Sequence, residues 1–113
     1  MIAYLKEFGE SRGLDTVVDE TGNVLIRKGA TPGYENRPTI ILQSHMDMVC
    51  EKLPECKIDF DNDPIETYID GEWLKAKGTT LGADDGIGIA EILSVLKLIQ
   101  QNGPVRVIIT TDE

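Results

Sequence analysis

The sequence predicts an α/β fold, and three observations indicate it. Thr39–Leu42 is a short apolar run rich in β-branched residues, which is typical of a strand buried on both faces, and Val105–Ile109 is a further apolar strand. Between them, residues 86–101 form a helical pattern that is apolar on all but one narrow stripe, as in a helix covered on most sides. A strand, a helix and a strand in this order predict a crossover connection. We therefore expect an α/β fold with at least one strand–helix–strand crossover.

The remaining elements follow from local patterns. Residues 2–12 have the spacing of an amphipathic helix, and Gly13 suits its C-terminal cap. Asp70-Gly71 lies between two apolar runs and predicts a two-residue hairpin turn. Short strands are predicted at residues 16–18, 23–26, 67–69 and 72–74.

Length and composition exclude several classes of protein. The 113 residues include 11 basic and 20 acidic side chains, a net charge of −9, and a hydrophobic fraction of 41%, which predicts one globular domain over residues 1–113. An acidic surface argues against nucleic acid as a partner, and no apolar run approaches the roughly 20 residues of a membrane span. Cys50 and Cys56 make no disulfide framework, and Met1 is followed by no signal pattern, so we expect a cytoplasmic protein.

Two polar clusters next to predicted strands and helices are candidate sites. His45 and Asp47 follow the first apolar strand and lie on the same face of an extended backbone. Imidazole is a zinc ligand, and a nearby carboxylate commonly orients it, although a solvated His beside a loop Asp is the simpler interpretation of the triplet alone. Asp84 and Asp85 stand between glycines at the start of the long helix. They could bind cations or cap the helix.

Two weaker candidates remain. Glu113 follows the last strand, where a carboxylate could act as a general base, although a chain-terminal Glu is commonly a frayed surface residue. Cys50, Cys56 and His45 could form a three-ligand zinc site, but their spacing differs from the usual one and no fourth ligand is evident.

Taken together, three ordered segments resemble the motifs of the M20 metallopeptidases. Leu42–Val49 resembles the first metal motif, and Tyr68–Gly88 resembles the second in the long form of the Xaa-His dipeptidase branch. Thr110–Glu113 is similar to the start of the third motif. The resemblance covers essentially the whole chain. It implies part of a zinc-peptidase-like catalytic domain with a mixed sheet and flanking helices, and it implies hydrolysis of dipeptides, Xaa-His dipeptides first, as the ancestral reaction.

The resemblance also implies a role for each candidate residue. His45 would be a ligand to one zinc, with Asp47 orienting its ring, and Asp84 would bridge two metals. Glu113 would be the general base that activates water. Two zinc ions occupy a complete family site, and manganese or cobalt would also suit these ligands.

The same resemblance leaves the family's N-terminal segment, lid domain and C-terminal half unmatched. We therefore expect a partial catalytic domain that binds metal incompletely and is inactive or nearly so by itself. The alternative is a non-enzymatic interaction module that self-associates through exposed sheet edges.

Overall fold

The computed structural model describes all residues, Met1–Glu113, and the chain divides into two compact units. The first comprises Met1–Asp47 and Asp85–Glu113, and the second comprises Met48–Asp84, a division that the sequence does not predict. The elements in chain order are α1 (Ile2–Ser11), β1 (Asp15–Val18), β2 (Val24–Lys28), β3 (Ile40–His45), β4 (Thr67–Asp70), β5 (Trp73–Ala76), α2 (Ala83–Leu98) and β6 (Val105–Thr110).

The first unit is built on a four-stranded mixed sheet with the strand order β1-β2-β6-β3. β2 is antiparallel to both of its neighbours, whereas β3 runs parallel to β6. Parallel neighbours require a crossover connection, and α2 lies within the connection from β3 to β6. The predicted mixed α/β fold is confirmed.

Both helices contribute to one hydrophobic core with one side of this sheet. Alternate residues of β2 and β6 are buried, as expected when only one face of a sheet is covered. The core residues are Leu5, Phe8, Val24, Ile26, Ile89, Ile92, Leu93, Leu96, Val105, Val107 and Ile109. Neither helix is long and apolar enough to cross a membrane.

Two predictions about burial are wrong. Ile40 and Ile41 in β3 are 54% and 61% exposed, because β3 is an edge strand that pairs with β6 alone. The helix α2 buries one face, while Ile87 and Leu98 are exposed, so it is not covered on most sides. An apolar run indicates the capacity to be buried, but burial itself depends on which neighbours the fold brings.

The second unit contains the predicted hairpin, shifted by one residue. Asp70 pairs with Trp73, so the two loop residues are Gly71 and Glu72 rather than Asp70 and Gly71. Gly71 has a φ of +62° and no non-glycine residue has a positive φ, which matches a type II′ turn with glycine at its first loop position. The glycine therefore decides the register of β4 against β5.

Helix α1 ends at a glycine, as the sequence predicts. Gly13 has a φ of +69°. The N–H of Gly13 donates to the carbonyl of Glu10 and the N–H of Leu14 donates to that of Gly9, both at 3.0 Å. This pair of hydrogen bonds is the Schellman motif, which satisfies carbonyls that would otherwise lack partners at the helix end.

Substituting Gly13→Ala tests this cap. We expect the free energy of unfolding to fall by about 1 kcal/mol, because a Cβ is strained at positive φ even where there is space for it. Gly29→Ala is the matched control, since neither glycine has an atom within 4 Å of an added Cβ but Gly29 lacks a positive φ. Urea unfolding of both variants measures the difference. Equal losses would contradict the role of φ.

Candidate metal-binding site

The carboxyl ends of β3 and β6 lie side by side. His45 is the register partner of Thr110 at the last pair of the parallel ladder. Beyond it, the N–H of Met46 donates to the carbonyl of Thr110 at 2.8 Å, and the Thr110 hydroxyl donates to the carbonyl of Ser44 at 3.4 Å. Residues that follow either strand therefore start from the same end of the sheet, beyond the carboxyl ends of the parallel strands, where ligands of open α/β sheets bind.

His45 and Asp47 are joined as the sequence predicts. His45 Nδ1 lies 3.0 Å from Asp47 Oδ1, and the two side chains are 14% and 33% exposed. In the neutral tautomer that this contact favours, Nδ1–H donates to the carboxylate and the lone pair lies on Nε2. A carboxylate that fixes the tautomer and ring orientation in this way is the usual companion of a metal-binding histidine.

A buried serine connects β3 to the first turn of α2. Ser44 is 1% exposed, and its hydroxyl donates to Asp85 Oδ2 at 2.5 Å. Asp85 Oδ1 accepts a hydrogen bond from the N–H of Gly88 at 3.2 Å. Asp85 lies inside α2 and is not its N-cap residue, but it supports the first turns of the helix by accepting from a backbone N–H of the same helix. Our sequence reasoning missed Ser44; its signal is the alternation with Leu42 and Met46, which both pack against the core.

Asp84 precedes Asp85 in the same helical turn and is exposed. It is the last residue of the second compact unit, and its role as a bridging ligand stays a prediction. No group of three or more His, Cys, Asp and Glu side chains is arranged to hold a metal ion. The structure thus gives no support to the alternative site of Cys50, Cys56 and His45; both thiols are free.

The end of β6 is held by Asn23, a residue that the sequence did not single out. Asn23 Oδ1 accepts the N–H of Thr111 at 2.9 Å and its hydroxyl at 3.3 Å. The side-chain amide of Asn23 donates to Asp19 Oδ2 at 2.9 Å, and its backbone N–H donates to Asp19 Oδ1. These hydrogen bonds hold the pKa of Asp19 below its usual range, and the bond from the side chain of Asn23 has the largest effect.

This contact supports the segment that leads to Glu113, which is itself exposed. Glu113 lies two residues beyond Thr111. It therefore follows β6 at the end of the sheet where His45 also lies. No local pattern marks the contact of Asn23 with Thr111 in the sequence, because the two residues are far apart along the chain. The role of Glu113 as a general base stays a prediction.

Two comparisons relate this chain to known dipeptidases, while no protein-family model matches it. It is 49% identical over 113 residues to the cytosol non-specific dipeptidase of Escherichia coli (strain K12), covering 97% of this chain and 23% of the relative. It is 51% identical to the crystal structure of the aminoacylhistidine dipeptidase from Vibrio alginolyticus, with a TM-score of 0.89 over 99% of this chain and 23% of that one. Both relatives confirm the resemblance to dipeptidases.

Removing the Ser44 hydroxyl tests the link between β3 and α2. Ser44→Ala is expected to lower the free energy of unfolding by about 1.5–3 kcal/mol, because a buried bond to a carboxylate is lost. Ser94→Ala is the control in the exposed part of α2, where the hydroxyl bonds only to the carbonyl of Ala90 within the helix. We expect it to change stability by less than about 0.5 kcal/mol. Chemical denaturation measures the free energy of unfolding of both variants. Equal losses of stability in the two variants would refute the link.

Removing the Asn23 side chain tests the anchoring of residues 111–113. In Asn23→Ala the Thr111 amide should exchange with solvent up to about tenfold faster, since a net hydrogen bond contributes about 0.5–1.5 kcal/mol. Asn62→Ala is the control, because Asn62 also donates to an aspartate, Asp59, but has no contact with Thr111. Amide exchange followed by NMR gives the rate at Thr111 in both variants. An unchanged rate at Thr111 in Asn23→Ala would show that the anchor is dispensable.

Proposed function

We propose that this chain, which is homologous to dipeptidases over nearly its whole length, forms part of the catalytic domain of a metal-dependent dipeptidase of the M20 family. The observation that carries the proposal is the 3.0 Å contact between His45 Nδ1 and Asp47 at the carboxyl end of β3. The 113 residues span 23% of the length of each relative. Peptide hydrolysis is therefore proposed for a site to which this chain contributes.

The side chains of this segment suit zinc. His45 offers an imidazole nitrogen whose orientation Asp47 fixes, and Asp84 offers a carboxylate with two oxygens that can bridge two cations. Nitrogen and carboxylate donors would also accept manganese or cobalt. When bound, such metals polarise a peptide carbonyl and lower the pKa of a nearby water molecule.

The proposed mechanism assigns one task to each of this chain's own residues. Asp47 accepts a hydrogen bond from the Nδ1–H of His45 and so keeps the imidazole in one tautomer and one orientation. Glu113 takes a proton from the attacking water and passes it to the leaving amine, the work of a general base that becomes a general acid. Ser44 and Asp85 hold the end of β3 against the start of α2.

Dipeptides are the proposed substrates, with Xaa-His the first class to examine. One relative is named a non-specific dipeptidase and the other an aminoacylhistidine dipeptidase, so their names agree on the dipeptide and differ in breadth. The Escherichia coli relative is named a cytosol enzyme, which supports a cytoplasmic location for the protein to which this segment contributes.

By themselves the 113 residues are proposed to be inactive or nearly so. His45 is the single histidine of the chain, and the structure holds no group of three donors, whereas a catalytic zinc site commonly uses three protein ligands per metal. Donors from other residues would complete the site.

Metal content and hydrolysis measured on the same preparation test this proposal. After dialysis into metal-free buffer, we expect almost no tightly bound zinc and no hydrolysis of alanyl-histidine. Added zinc should bind weakly, as measured by titration calorimetry and by a shift of the His45 ring signals, and His45→Ala should abolish the calorimetric binding signal.

The control for this experiment is the double variant Cys50→Ala and Cys56→Ala, which should bind zinc as the parent chain does. Loss of zinc binding in the double cysteine variant would favour the Cys/His module instead. Two tightly held ions per chain together with Xaa-His hydrolysis would overturn the expected inactivity.

A further inference from the structure

A buried asparagine fastens the connection between β2 and β3 to the segment that follows α2. Asn102 is 7% exposed, and its Nδ2 donates to the carbonyl of Gly29 at 3.0 Å and to that of Gly103 at 2.7 Å. The hydroxyl of Thr31 accepts the N–H of Asn102 at 3.0 Å and lies 3.4 Å from its Oδ1. The N–H of Thr31 donates to the carbonyl of Asn102 at 2.8 Å. We call these contacts the Asn102 latch.

The latch depends on both residues of a chemically labile pair. The side chain of Asn102 supplies two N–H donors to two carbonyls, which suits a primary amide. Position 103 has no room for a side chain, since an added Cβ would lie 2.6 Å from the Cβ of Arg37 and 3.5 Å from the carbonyl oxygen of Pro38. An asparagine followed by a glycine is the sequence most prone to deamidation, because the glycine leaves its own nitrogen sterically free to reach the side-chain amide.

Deamidation of Asn102 proceeds through the main chain of Gly103. Once hydroxide has removed its proton, the Gly103 nitrogen attacks Cγ of Asn102, and the new bond closes a succinimide ring. The bond from Cγ to Nδ2 breaks, and the amide nitrogen takes protons from water and leaves as ammonia. Water then adds to either carbonyl carbon of the ring and opens it, which leaves aspartate or isoaspartate at this position.

The closed latch opposes the first step of this reaction. The amide must turn its Cγ toward the nitrogen of Gly103, but its Nδ2 is held by two carbonyls. Rotation breaks both hydrogen bonds in a place that is shielded from water, which is costly. Burial also keeps away the water that protonates the leaving nitrogen. The reaction therefore requires the latch to open first.

The product cannot close the latch again. Aspartate and isoaspartate carry a carboxylate where the amide was, so neither donates a hydrogen bond there. The negative charge would face the carbonyl oxygens of Gly29 and Gly103, and a charge buried against such groups is strongly unfavourable. Deamidation would thus release the connection between β2 and β3 irreversibly.

We propose that Asn102 is a deamidation site gated by the latch. The closed latch protects the amide, local opening exposes it, and the modified residue then keeps the latch open. All residues of the latch belong to the first compact unit. The proposal concerns a covalent modification and stands independently of the proposed peptidase reaction.

Incubation of the chain at mildly alkaline pH tests the protection. The tryptic peptide of residues 98–106 contains Asn102 as its single asparagine, and mass spectrometry with chromatographic separation quantifies its aspartate and isoaspartate forms. We expect deamidation in the folded chain to be at least about tenfold slower than in the same chain unfolded in urea, since the reaction waits for local opening. Equal rates would overturn the proposal.

Three variants test whether the latch is the gate. Thr31→Val removes the hydroxyl that bonds Asn102 and should speed deamidation of the folded chain at least about threefold, whereas Thr31→Ser keeps the hydroxyl and should react as the parent does. Gly13→Ala lowers overall stability away from the latch and should leave the rate unchanged. Circular dichroism verifies that all three are folded. An unchanged rate in Thr31→Val, or an equal increase in Gly13→Ala, would overturn the proposal.

The substitution Asn102→Asp imitates one product and tests the consequence. The Thr31 amide reports the state of the latch, because it donates to the carbonyl of Asn102. We expect its exchange with solvent to become at least about tenfold faster in the variant. The Leu14 amide, which donates to Gly9 at the end of α1, should exchange at an unchanged rate. Unchanged exchange at Thr31, or equal acceleration at both amides, would contradict a release of the latch by deamidation.

Discussion

The parallel pairing of β3 with β6 is the constraint on which the candidate site depends. Because the two strands run in the same direction and end at the pair His45–Thr110, the segments that leave them begin at one edge of the sheet. The chain must cross over between them, and that connection includes α2, whose first turn bonds to Ser44 through Asp85. In an antiparallel arrangement the segments carrying His45 and Glu113 would leave their strands at opposite ends of the sheet, and the proposed site could not include both.

Polar contacts, rather than apolar packing, hold the irregular parts of this edge. Asp85 accepts from a buried serine and from the backbone of its own helix, and Asn23 accepts from Thr111 while donating to Asp19. A buried hydroxyl without its partner is costly, so such contacts define one arrangement of the strand ends more sharply than apolar contacts would. Neighbouring acidic residues thus differ in role: Asp85 supports the fold, and Asp84 beside it is the one proposed to meet metal.

The surface of the chain combines strong negative charge with exposed apolar side chains. Ile40 and Ile41 on β3, Leu98 on α2 and Trp73 on the hairpin all face solvent, although each belongs to a segment whose composition is suited to burial. The relatives are about four times as long as the matched region, because this chain spans 23% of each. Surfaces of this kind have the composition of interfaces, and a net charge of −9 opposes their unspecific association.

Local interactions explain what the sequence by itself determined. The end of α1 at Gly13, the glycine turn of the hairpin and the pairing of His45 with Asp47 all depend on residues within a few positions of one another. The strand–helix–strand order follows from the local pattern within each of the three segments. Burial, strand neighbours and long-range polar contacts depend on residues far apart in the chain. Only the tertiary structure could therefore decide that β3 is an exposed edge strand, that Ser44 binds Asp85, and that Asn23 holds Thr111.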